Sequence, residues 1–99
     1  MRIKDITKEV KLEEAILMSM MASSNFLAKL RNSINQEYFT SSYGQEVCEW
    51  LFDYYDDHKK APGQTLIKIF ESKKDRFGRE DANVIERLIH RMGELYDSE

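Results

Sequence analysis

Apolar residues in this chain recur mainly at spacings of three and four, the period of a helix, and no segment sustains the alternation of a half-buried strand. The pattern predicts an all-α fold, a compact bundle of about five helices. A first helix is expected over roughly Lys8 to Met21, with Leu12, Ile16 and Met20 on one side and Ala15, Leu17 and Met21 widening the stripe. The polar run "ASSN" interrupts it, and Ser24 is placed to cap a second helix carrying Phe26, Leu27, Leu30 and Ile34. The connector "NSINQEYFTSS" is rich in turn formers, and its aromatic pair, Tyr38 and Phe39, is expected to plug the core from a loop or short turn.

Ser42 followed by Gln45 has the form of a capping box and opens a third helix that runs to about His58. There His58, Lys59 and Lys60 suit the negative end of the helix dipole. "KKAPGQT" must be a loop, since proline disfavours helical geometry in the residue before it. A fourth helix carries Leu66, Ile67, Ile69 and Phe70 and ends at "KKDRFG", where Gly78 is a natural stop. The fifth opens at Glu80 to Asn83 and carries Val84, Ile85, Leu88, Ile89, Met92 and Leu95.

The third helix has the most informative pattern. At roughly 100° per residue, Val47, Leu51 and Tyr54 cluster near one direction, Trp50 lies on one flank, and Cys48, Phe52 and Tyr55 extend the other. The apolar arc covers roughly 200°, against the roughly 100° of a helix packed on one side. Glu46, Glu49, Asp53, Asp56 and Asp57 fill the rest. Such a helix is either central in its domain or uses its second flank to meet another chain.

With 99 residues, 41% of them hydrophobic, and only one proline and four glycines, residues 1–99 are read as a single globular domain. The formal net charge of −3 argues against tight, sequence-independent nucleic-acid binding. Charge is unevenly spread, however: residues 59–79 hold seven lysines and arginines against two acids, a local excess of +5. The lone Cys48 excludes an internal disulfide and fits a reducing compartment, so the cytoplasm is the expected location. No stretch approaches the roughly 20 apolar residues that span a bilayer, and the N-terminus lacks the form of a signal peptide.

None of the common chemical constellations is present. Gly44, Gly63, Gly78 and Gly93 are isolated, and none opens a phosphate-binding loop. Cys48, His58 and His90 are too few and too scattered for a zinc site. Asp53, Asp56 and Asp57 share a helix face, but no loop supplies the further oxygens a hard cation takes, and a solvated acidic face is the preferred reading. The methionines of "MSMM" sit at helical spacing beside leucine and isoleucine and read as core filler. The chain is therefore expected to be no enzyme and to need no cofactor or metal.

The succession "EEAILMSMMASSNFLAKL", "EYF", "CEWLFDYYDDHKKAP", "QTLIKIFE" and "NVIERLIHRM" resembles the N-terminal domain of DnaB-like hexameric replicative helicases, especially divergent phage forms. It extends over roughly Leu12 to Tyr96 and rests on apolar pattern and spacing. Where cellular members commonly carry a histidine-arginine pair after the aromatic turn, this chain reads "TSSYGQE".

The resemblance implies a helical head domain in a collar above a motor ring, supporting ring assembly and docking primase or a helicase loader in DNA replication. The ATP-dependent motor would lie in a C-terminal domain beyond this chain, which looks like part of a larger helicase. Other helicase subunits are then the expected homo-oligomeric partners, with weak or no direct nucleic-acid binding and no membrane contact. No catalytic residue carries over. The flank bearing Phe52 and Tyr55 is the first candidate interface, and the basic stretch Lys73, Lys74, Arg76, Phe77 and Arg79, which rests on local charge alone, is the second. Two other readings stand beside this one. One is a helicase-binding domain of a primase or a small loader-like adaptor, and the other is a small helical DNA-binding regulator using Asn83, Arg87 and Arg91.

Overall fold

The computed structural model describes residues 3–97, with side chains described from Leu12 to Glu94 apart from Gln36. Among these residues there are five α-helices, two 3-10 turns and no strand. The all-α bundle expected from the apolar period is what the chain forms. The Leu95 side chain, assigned above to the core stripe of the last helix, lies outside the described side chains.

Helix α1 spans Ile3–Ala22 and so opens before Lys8. Its buried face is Leu17, Met20 and Met21, with Ile16 half-buried beside them. Leu12, expected to lead that stripe, is 61% exposed. The reason is angular: Leu12 stands roughly 140° around the helix from Leu17, too far to share its face.

Both predicted N-caps move by one residue. Helix α2 covers Ser24–Ser33, and Ser23, in an extended conformation, accepts from the Phe26 N–H at 3.1 Å. Ser24 is already helical, and its hydroxyl instead accepts from the Ala61 N–H at 2.9 Å, tying α2 to the loop after α3. Helix α3 covers Ser42–His58 and is capped by Ser41, whose hydroxyl accepts from the N–H groups of Tyr43 and Gly44. Gln45 closes no box with Ser42; its amide donates to the Phe39 carbonyl at 2.8 Å. The cap position demands a non-helical backbone, and in each serine pair the first residue has it.

Between α2 and α3, a 3-10 turn at Gln36–Tyr38 delivers Phe39 into the core with no exposed surface. Tyr38 is half exposed and meets the Phe39 ring edge-on, with centroids 5.3 Å apart. Only Phe39 of the pair is a plug. Glu13 of α1 holds the turn, accepting from the Thr40 N–H and hydroxyl at 2.7 and 2.8 Å.

Helix α3 ends on Lys59, which occupies the left-handed region at φ 59° and donates its N–H to the Tyr55 carbonyl. A side chain here costs about 1–2 kcal/mol that glycine avoids. After allowing for glycine's greater entropy when unfolded, Lys59→Gly is expected to raise stability by about 0.5–1 kcal/mol in urea denaturation. The loop that follows is stapled to α1 by the Gly63 N–H, which donates to the Met21 carbonyl at 2.9 Å. Helix α4 spans Thr65–Lys73, a 3-10 turn covers Lys74–Arg76, and α5 runs Arg79–Asp97 with Glu80 and Asp81 at its positive end.

The wide apolar arc is accounted for by position. Helix α3 touches α1, α2, α4 and α5, and its Val47, Cys48, Trp50, Leu51 and Phe52 all belong to one core cluster with Phe39, Leu66, Phe70, Ile85 and Met92. It is the central helix of the domain.

Candidate functional site

Phe52 does not stand on an open flank. It is 5% exposed, because α2 lies across it and Arg31 places its guanidinium over the ring, 5.1 Å from the centroid. Arg31 is held there by a two-pronged pair to Asp56, at 3.1 and 3.0 Å. The hydrogen bond from Arg31 holds the Asp56 carboxyl below the ordinary aspartate range, and the same bond raises Arg31. Tyr55 is half-buried, with the Lys59 ammonium 5.5 Å from its ring centroid. This side of α3 is therefore mostly covered from within the chain.

The basic stretch divides as well. Lys74, Arg76 and Arg79 are exposed and Lys73 is half-buried, whereas Phe77 turns inward against Trp50, with centroids 6.2 Å apart. Phe70 meets the same indole at 6.4 Å. Phe77 thus anchors the connector between α4 and α5, its half-buried ring packed against the core. Sequence spacing showed the cations but not the inward turn of the aromatic among them.

Two concave features border α3, and others lie along α5. The first, of about 180 Å³, lies between α1, the start of α3 and α5, lined by Leu17, Gly44, Val84 and Leu88 under a polar rim. Its charges are engaged within the domain: Glu14 takes a forked pair from Arg91, the shortest contact being 2.7 Å, and Glu13 holds Thr40. Tyr43 on the rim donates its hydroxyl to Asp81 at 2.9 Å, which raises the phenol above its ordinary range. Every charged group at this pocket already serves the fold.

The second feature is a groove of about 470 Å³ between α3 and α4. Trp50, Tyr54 and Ile69 supply its apolar part, Asp53, Asp56 and Asp57 stand on the α3 lip, and Lys73 stands on the α4 lip. Asp56 is engaged by Arg31, but Asp53, Asp57 and Lys73 form no ion pair with another described residue. This groove was not legible as a unit in the sequence. Its signals, Trp50 with Tyr54 and Ile69 with Lys73, each four residues apart, lie on helices whose meeting only the fold establishes.

The remaining reactive groups are placed structurally. Cys48 is wholly buried in α3, and burial pushes its thiol up to about 12, far from a nucleophile's range. Among the described residues, no three His, Cys, Asp or Glu side chains converge where a metal ion could sit. No described helix is long and apolar enough to cross a membrane. Comparison with family models, with curated proteins and with solved structures finds no match. What the geometry offers is a groove whose Asp53, Asp57 and Lys73 form no ion pair with another described residue.

Proposed function

We propose that this chain is a non-catalytic assembly and docking domain of the kind that heads a DnaB-like replicative helicase, serving ring or collar formation and contact with primase or a loader. The observation that carries the reading is the order of the resembling segments. "EEAILMSMMASSNFLAKL" runs through α1 and α2, and "EYF" is the turn that plugs the core. "CEWLFDYYDDHKKAP" is the central helix and its exit, and "QTLIKIFE" and "NVIERLIHRM" are α4 and α5. A groove with unpaired charges on its lips supports a docking role. ATP hydrolysis and translocation would belong to a motor domain elsewhere in the parent protein, and this domain would bind DNA weakly or not at all.

The test is sedimentation of the purified chain with the replicative helicase motor and with the primase of the same source. Binding to primase, with a Kd on the order of micromolar, is the expected result for a helicase head. Binding to the helicase and not to primase would favour a primase-borne or loader-like domain. The docking reading fails if neither binds at about 100 µM, a concentration that would reveal even weak encounter complexes. Tight, salt-sensitive DNA binding in that case would point to the helical regulator.

A further inference from the structure

We infer that the groove between α3 and α4 is a self-complementary interface that receives the same groove of a second copy of this chain. The inference rests on the docking role proposed above and names the occupant for this surface. Its basis is the opposite charge of the two lips. Asp53 and Asp57 stand on α3 and Lys73 on α4, with Tyr54 and Ile69 between them. Asp53 and Asp57 are exposed and Lys73 is half-buried, and none has an ion-pair partner among the described residues.

A partner of a single charge sign would meet one lip favourably and the other unfavourably, and such like-charge contacts discriminate strongly against a wrong partner. A continuous polyanion such as DNA meets the same obstacle at Asp53 and Asp57. A copy rotated by 180° about an axis through the groove meets neither. Its Lys73 faces Asp53 and Asp57, and its own aspartates face the first Lys73, which is the reciprocity a two-fold interface requires. Tyr54 and Ile69 then meet their counterparts and lose water from their exposed parts.

Neighbouring features fit this choice of surface. Helix α2 and Arg31 already cover the neighbouring flank of α3, at Phe52 and Asp56. The pocket under Glu14 and Arg91 has its charges paired within the chain. In the α3–α4 groove, by contrast, Asp53, Asp57 and Lys73 are left without an ion pair among the described residues, on opposite sides of an apolar strip.

The experiment is equilibrium sedimentation of the full chain at low salt with two charge-reversed variants. One carries Asp53→Lys with Asp57→Lys, and the other carries Lys73→Glu. The wild type is expected to form a reversible dimer with a Kd on the order of 10–100 µM. Each variant alone weakens the dimer at least about tenfold, because both reciprocal contacts become repulsive. An equimolar mixture of the two restores association, since each lysine-bearing lip now faces an acidic one. Added salt weakens the wild-type dimer.

Circular dichroism and Trp50 fluorescence establish that the variants are folded. If a reversal unfolds the chain, Asp53→Asn with Asp57→Asn and Lys73→Gln replace it and must also weaken the dimer. A wild type that is monomeric throughout, a dimer indifferent to both lips, or a mixture that fails to recover overturns the inference. A monomer that still binds primase removes this interface and leaves the docking role standing.

Discussion

Alanine in place of Phe39 is expected to lower the unfolding free energy by about 3–5 kcal/mol, the range for deleting a buried aromatic side chain. A domain of this kind has about 5–15 kcal/mol in total, so the variant should be partly unfolded at body temperature or close to it. Phe39 is fully buried and reaches the core from a turn, so no helix of its own can reposition to fill the cavity. The loss should also loosen the start of α3, because the Gln45 amide is anchored on the Phe39 carbonyl. Urea denaturation followed by circular dichroism measures the effect. Tyr38→Ala is the control: that ring is half exposed, and its removal should cost within about 0.5–1 kcal/mol. Equal losses for the two would contradict the assignment of Phe39 alone as the plug.

Trp50→Ala is the second large effect, again about 3–5 kcal/mol, but its damage should be local before it is global. Trp50 is 3% exposed and is the residue on which both Phe70 of α4 and Phe77 of the following connector rest. Helix α4 has nine residues and no side-chain cap. Isolated helices below about 12–15 residues are marginal in water, so α4 depends on this packing. Hydrogen exchange should show α4 amides losing protection at denaturant concentrations where α1 and α5 remain closed. Trp50→Phe keeps most of the contact and should retain most of the protection. Uniform loss across all helices would mean that α4 folds and unfolds with the rest as one unit. The substitution also destroys the groove, so it is unsuited to testing association; Asp53, Asp57 and Lys73 on the lips serve that purpose.

Much of this molecule can be read from local chemistry. The helices and their connectors follow from apolar spacing, proline, glycine and serine, since each acts within a few residues of itself. Serine caps were foreseeable in kind but not in register. "SS" offers two equivalent hydroxyls at each site, and the backbone conformation that selects Ser23 over Ser24 and Ser41 over Ser42 is set by how the preceding chain arrives. The free groups that matter for binding are harder to read, because a charge is available only if no distant residue has taken it. Asp56 and Asp57 are adjacent in sequence, yet Arg31, 25 residues before Asp56, engages only the former.

The width of the apolar arc on α3 has the same ambiguity. Its residue pattern sets how much of the helix must leave water, because burial follows side-chain hydrophobicity wherever the cover comes from. It does not set what provides the cover, since the hydrophobic effect has no direction and an intramolecular helix and a partner's surface satisfy it equally. Helix number and the central helix's demand for burial are therefore properties of the local pattern. Phe52 under Arg31, Phe77 turned onto Trp50 and the opposed lips of the α3–α4 groove arise from contacts between residues far apart in the chain, whose proximity exists only once the helices have packed.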